Sequence, residues 1–441
     1  MLPNRKVSWA TLWVYQRQAR GSSSGLLLGV LVFIFVSLLV ERYRGFADPE
    51  SATWSAMWTA DAELIAAVHS DSWPAWVQWT SGVGSTQEAL DALSSGFADL
   101  DRQNLLDQEG VKVAHSLAGL AKGEGTTRSH EEWQKIFQEQ AWAWEVLEAK
   151  RQYRDNPPIW LVEELSYYED LGREKAYTIA ASSFVWWLVI ICGLPFLPAA
   201  LKCFRQCHHV KASPVMNAWR PGRVTVAYLI VEICFPILFG WFMSLIPSSA
   251  WYQHYWATSV ITDTLWRVGG PLLLGGFIFV RWRHAWRLLG LHLRPILPPI
   301  FGMMALGGLY HFVLFGVMEL FIESESLTSL SVDENGLSGL VFIFVSGVIM
   351  APLFEEIVYR GILFQGYVKR FGFWSGLALS TSFFVLIHYY GVYGSLSVAT
   401  FGIGACALFR ATGSLWTAIL FHSFSNAIII LTNWAIYYEH Y

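Results

Sequence analysis

Apolar runs separated by short polar connections fill most of the chain. The first covers residues 26–40; later ones fall near 178–201, 224–247, 268–280, 296–322, 339–368, 374–391, 397–409 and 414–435. A helix of about 20 apolar residues spans the hydrocarbon core, so these runs predict membrane helices, nine in all. Several are shorter than that, and composition alone fixes their ends loosely. Between the first and second runs lies a hydrophilic insert, residues 48–175. Its pattern is helical. Ser85-x-x-Glu88 is a capping box ahead of Leu90, Leu93, Phe97 and Leu100. Ser129-x-x-Glu132 is another, ahead of a helix with Trp133, Ile136, Phe137, Trp144 and Leu147 that Asn156-Pro157-Pro158 ends. A further helix is expected from Ile159 into the second span. The expected fold is therefore all-α, a polytopic membrane helix bundle of nine spans with a helical insert.

Composition agrees. The 441 residues are 54% hydrophobic and only 15% charged, against about 25% charged in soluble domains. The net charge of −4 conceals an asymmetry: Glu41 to Lys175 holds 24 acidic and 12 basic residues. No long basic run points to nucleic acid.

Basic residues orient the spans. Residues 1–25 carry Arg5, Lys6, Arg17 and Arg20 without an acid, which puts the N-terminus in the cytoplasm. A cleaved signal peptide with Gly45-Phe46-Ala47 as its site is the alternative; Glu41, Arg42 and Arg44 argue against it. Loops with Lys202, Arg205, Lys211, Arg220 and Arg223, and with Arg281, Arg283, Arg287 and Arg294, fall inside, as do Lys369, Arg370 and Arg410. The connection with Glu323, Glu325, Asp333 and Glu334 falls outside, and so does the insert. Residues 1–47 then form a cytoplasmic N-terminus and first anchor, 48–175 an extracytoplasmic insert, 176–334 spans two to five, and 335–441 a membrane core. The expected location is a bacterial plasma membrane, with the endoplasmic reticulum as the alternative. The nine tryptophans of the insert suit a ligand groove or membrane surface, and suit small-helix packing better.

None of the five cysteines lies in the insert, so it has no disulfide. Cys203-x3-Cys207-His208-His209 matches no standard zinc spacing, and free thiols beside a helix end are the simpler reading.

Charge in hydrocarbon is costly and marks function. Phe354-Glu355-Glu356-Ile357-Val358-Tyr359-Arg360 puts two carboxylates and a guanidinium inside a span. Glu356 and Arg360, four apart, share a helix face as an ion pair. Glu355 lies about 100° away and needs another partner; a carboxylate freed there suits a general base. A purely structural ion-pair seal is the competing explanation. The next span offers Phe384 and His388 on one face, and the last His422 and Asn426 on one face, able to donate together to one oxygen. Glu232 and His311, also in spans, have no local motif and read as structural; Glu319 reads as interfacial.

Glu-Glu-x-x-x-Arg, Phe-x-x-x-His and His-x-x-x-Asn, in this order over residues 335–432, resemble the CPBP intramembrane proteases. That family includes the type II CAAX prenyl endopeptidases, bacteriocin-processing and immunity proteins, and lysostaphin resistance protein A-like proteins. Thr412-Gly413-Ser414-Leu415-Trp416 is also similar to the family; the insert lies outside the resemblance. The resemblance implies an endopeptidase that hydrolyses peptide bonds of membrane-associated proteins or peptides in a lipid bilayer. Glu355 would be the general base, His388 would help polarise the water, and His422 and Asn426 would bind the oxyanion. Glu356, Arg360 and Phe384 would support them. Zinc on Glu355, His388 and His422 is the alternative; no His-x-x-x-His pair or nearby thiolate favours it, and a metal-free glutamate mechanism is preferred. A non-catalytic scaffold or bacteriocin-immunity factor on the same fold is the functional alternative. A transporter with a proton relay is not supported by broken helices or inverted repeats.

Overall fold

Helices account for every regular element among the described residues. The computed structural model describes residues 32, 34–37 and 49–437, except 75–76, 79–83, 103, 105, 125–126, 139–140, 210–220, 246–254, 279–286, 288, 319–335, 389 and 391. Most of the first apolar run, the Gly45-Phe46-Ala47 site, Glu319 and the acidic 323–334 connection lie outside those residues.

The insert folds as α1 (Pro49–Ser70), α2 (Thr86–Arg102), α3 (Gln108–Ala121), α4 (His130–Gln138) and α5 (Ala143–Gln152), packed on the first half of α6 (Ile159–Gly193). Both capping boxes are formed. The Ser85 and Ser129 backbone N–H groups donate to Glu88 (2.8 Å) and Glu132 (2.7 Å), and the serine hydroxyls accept in return. Those backbone bonds hold both carboxyls below their ordinary range.

The single helix expected after Ser129 is two, α4 and α5. A second start intervenes because Glu145 accepts from the Trp142 N–H (3.1 Å) and buried Asp61 from the Ala143 N–H (2.6 Å). Among the described tryptophans of the insert, Trp133 and Trp144 are buried, and Trp142 stacks on Trp144 at 5.1 Å. α1 runs parallel to α6, Ala66 meeting Ala176 and His69 meeting Tyr177 further along.

α6 is one helix of 35 residues, about 52 Å long. Its second half exposes Phe184, Leu188 and Ile191, as a lipid-facing surface does. It continues through a 3₁₀ turn into α7 (Leu197–Cys207). Then follow α8 (Pro221–Ser244), α9 (Tyr255–Ile278) and α10 (Leu297–Met318). Residues 337–371 form one long helix, followed by the shorter α14 (Phe373–Leu386), α15 (Val392–Thr412) and α16 (Leu415–Tyr437). Within the long helix, α11 (Gly336–Ile343), α12 (Ala351–Glu356) and α13 (Gln365–Phe371) are separated by two wider stretches.

Among the described residues, six helices are long and apolar enough to cross a membrane: Ile159–Cys207, Val224–Ser244, Leu297–Leu314, Leu337–Phe371, Val392–Thr412 and Leu415–Ile436. The 268–280 run falls mostly in α9, whose middle carries Asp263 and Arg267. Phe35, from the first run, is buried against Tyr228 and Phe383.

The start of α16 is locked. Gly413 closes α15 at φ +69°, its N–H bonding the Phe409 carbonyl at 2.8 Å. Ser414, Trp416 and Thr417 then bond the backbone of Leu293, Leu291 and Ile296. α16 carries His422 and Asn426, so this clasp fixes where they begin.

Candidate active site

The helix bearing both glutamates is not a regular α-helix. Six residues of α12 sit between π-helical stretches Phe344–Met350 and Ile357–Phe364. Pro352 is one cause: it has no N–H, and its ring crowds the carbonyl four residues back. The chain widens there, so that the Ala351 N–H donates to the Ser346 carbonyl, five residues back. Such wide turns recur at functional sites.

One side of this helix is sealed. Glu356 and Arg360 are 0% and 1% exposed, with Nη1 2.9 Å from Glu356 Oε1. The same oxygen lies 2.9 Å from His422 Nδ1. A carboxylate only accepts, so Nδ1 carries the proton and Nε2 faces the other way. Arg360 also lies over Phe384, 4.1 Å from its centroid, where the ring face attracts the cation. Gly402 makes room for it: a Cβ there would stand 3.3 Å from Arg360 Nη2 and 3.2 Å from Thr381 Cγ2. Phe384 meets His388 at 4.6 Å and His422 at 6.1 Å, both edge-on. One buried ring thus positions the arginine and both histidines.

The other side is open. Glu355 is 23% exposed at its side chain, with Oε2 3.9 Å from His422 Nε2. That exceeds a direct hydrogen bond. Oε1 is 3.9 Å from Arg267 Nη1. Arg267 is anchored through Nε to both Asp263 oxygens (3.0 and 2.9 Å) and to Ser346 Oγ (2.9 Å). An apolar cleft between α9 and the 337–350 segment, walled by Val341, Phe342, Val345 and Met350, borders Asp263 and Ser346.

His388 bonds its own helix, Nδ1 lying 2.6 Å from the Phe384 carbonyl, which leaves Nε2 as the lone-pair nitrogen. Asn426 does not stand free beside His422: its amide donates to the Gly347 carbonyl at 2.8 Å, leaving one N–H unspent. Glu355, Glu356, Arg360, Phe384 and His422 are therefore in mutual reach, with His388 joined through Phe384. His311 lies 2.6 Å from the Tyr393 hydroxyl and stacks on Trp186. Glu232 is half-buried on α8. Asp263, Arg267, Ser346 and Gly402 are absent from the sequence-based set. Their one sequence signal was Asp263-x-x-x-Arg267 beside a short apolar run.

Among the described residues, no three His, Cys, Asp or Glu side chains gather as a metal ion would require. In the candidate zinc set, His422 Nδ1 is committed to Glu356 and His388 Nδ1 to a carbonyl. Cys203 and Cys207 are buried free thiols, and His208 and His209 do not complete a site with them.

No curated protein and no solved structure matches the chain. Residues 337–428, which hold all seven motif residues, match the family described as type II CAAX prenyl endopeptidase Rce1-like, so the chain's resemblance to CPBP membrane proteases is shown over the stretch that carries it.

Proposed function

We propose that the protein is an intramembrane endopeptidase that cleaves membrane-associated proteins or peptides with a water activated by Glu355. The observation that carries this reading is the division between the two glutamates. Glu356 is sealed with Arg360 and His422, while Glu355 stays partly open 3.9 Å from His422 Nε2. Glu355 takes a proton from water as the water oxygen attacks the peptide carbonyl. His388 Nε2 accepts the hydrogen bond that orients that water. The unspent N–H of Asn426 donates to the oxyanion, and His422 Nε2 donates beside it when it carries a proton. Collapse of the intermediate breaks the C–N bond, and Glu355 returns its proton to the leaving amine. Each oxyanion donor contributes on the order of 3 kcal/mol.

The mechanism is metal-free in this reading. Nine spans, a cytoplasmic N-terminus, an extracytoplasmic insert and a bacterial plasma membrane complete it. Glu355→Ala in purified full-length protein, assayed on fluorescence-quenched peptides with and without a prenylated CAAX end, tests the central claim. Cleavage should fall about 10²–10⁴-fold. Cleavage unchanged in that variant sinks the glutamate mechanism, and loss of wild-type cleavage with chelators, restored by zinc, sinks its metal-free form.

A further inference from the structure

We infer that Arg267 is a positioning residue for Glu355, an inference that rests on the endopeptidase reading. Glu355 has two oxygens and two cation-capable neighbours. Oε2 faces His422 Nε2 and Oε1 faces Arg267 Nη1, each at 3.9 Å. The two groups come from different helices, α16 and α9, so the carboxylate is bracketed rather than tethered at one end.

Arg267 is built to stay in place. Its Nε is bound by Asp263, one turn back on α9, and by Ser346 from the first π-helical stretch, where Ser346 is 7% exposed. A guanidinium is a rigid planar fork, so fixing Nε fixes the direction of the two terminal nitrogens. Ser346 has a double part. Its carbonyl accepts the five-residue bond that opens the helix before Pro352, and its hydroxyl holds Arg267. The distortion that sets the angle of Glu355 and the anchor of its neighbour thus share one residue.

Nη1 and Nη2 make no hydrogen bond among the described residues, and the Arg267 side chain is 27% exposed. At 27% exposure against 1%, this group is not sealed like Arg360. Its reach to Oε1 leaves Oε2 to face the histidine side, where the proposed water sits. Displacing a reacting group by about 1 Å costs on the order of 10²-fold in rate.

The test uses full-length protein and one quenched peptide that the wild type cleaves. Arg267→Gln should lower kcat about 10–100-fold with KM within about twofold, the pattern of an interaction acting in the transition state. Arg267→Lys, which keeps the charge but not the fork that Nε anchors, should recover only part of the loss. Raised KM with unchanged kcat would mean that Arg267 holds substrate, and overturns the inference. So does unchanged activity, or Arg267→Lys no better than Arg267→Gln.

A thermal-unfolding double-mutant cycle of Arg267→Gln with Glu355→Gln needs no substrate. Non-additive shifts are expected, and additive shifts refute the coupling. If the wild type cleaves nothing, the endopeptidase reading fails, while the cycle still decides whether Arg267 and Glu355 are coupled.

Discussion

Arg360→Met is the most demanding perturbation of the membrane core. Methionine has similar length and no charge, so packing is nearly kept while the guanidinium goes. Three losses follow. The Nη1–Glu356 contact at 2.9 Å disappears, and Glu356, 0% exposed, is left with His422 as its partner. Removing one member of a buried pair costs about 3–5 kcal/mol, chiefly because the remaining charge is uncompensated. The stacking of the cation over Phe384 at 4.1 Å also goes, worth about 0.5–2 kcal/mol. The flat fork that fills the space beside Gly402 is replaced by a flexible thioether.

A total of about 3.5–7 kcal/mol is expected from the first two losses. The double variant Glu356→Gln/Arg360→Met should be less destabilised than the sum of its singles, because neither charge is left alone. Intrinsic fluorescence of the 23 tryptophans gives the thermal unfolding signal. Single and double variants with additive shifts, or Arg360→Met melting with wild type, would refute the buried-pair account.

Three further outcomes follow from the same contacts. Gly402→Val drives a branched side chain against Arg360 Nη2 and Thr381, and should destabilise by about 1–3 kcal/mol with loss of cleavage; wild-type melting and activity would contradict it. Asn426→Ala removes the donor to the Gly347 carbonyl and an oxyanion donor, and should lower kcat about 10²-fold or more, read on the same quenched peptides. In the insert, Glu88 and Glu132 have folded values below the ordinary 4.5, so their contribution is present above pH 4.5 and lost as pH falls through the folded values. Hydrogen exchange at the amides of Ser85, Glu88, Ser129 and Glu132, compared with exposed helix-end amides lacking a box, should show extra opening only below that pH.

The architecture also joins the insert to the helix that carries His422. α6 is unbroken from Ile159 to Gly193, so its insert-packed half and its apolar half move as one rod. Lys175, 4% exposed at the turn between them, donates to the Ile436 carbonyl at 2.6 Å, near the end of α16. Carbonyls at a helix C-terminus lack intrahelical partners and carry partial negative charge, which makes a lysine there favourable. α16 is therefore held at both ends, by the Gly413–Thr417 clasp and by Lys175.

Much of this was legible in the sequence, for reasons that also mark where reading failed. Capping boxes are local, and Ser85–Glu88 and Ser129–Glu132 form as their spacing requires. The Glu356–Arg360 contact is local too, four residues apart. The break between α4 and α5 was not legible, because Asp61, the group that caps Ala143, comes from 82 residues away. Arg267 was missed for the same reason: a charge four residues from Asp263 looks self-satisfied, and only the packing of α9 on α12 turns it toward Glu355. Gly402 offers no chemistry to read at all; its role is the volume it leaves to Arg360.

Neighbours of identical chemistry acquire different environments here because of angle, not composition. Successive residues on a helix differ by about 100°, and the widened turns on either side of α12 change where that rotation points. Glu356 turns into the bundle, 0% exposed, where Arg360 and His422 meet its Oε1. Glu355 turns toward α9 and the cleft side, where its two oxygens face Arg267 and His422, each at 3.9 Å. Glu356 is neutralised at one oxygen by Arg360 and His422, each at 2.9 Å, whereas Glu355, held at a distance by fixed partners, still has a coordination place to fill. The sealed ion pair also anchors His422 through Nδ1, so the same carboxylate that is itself unreactive decides which nitrogen His422 presents to Glu355.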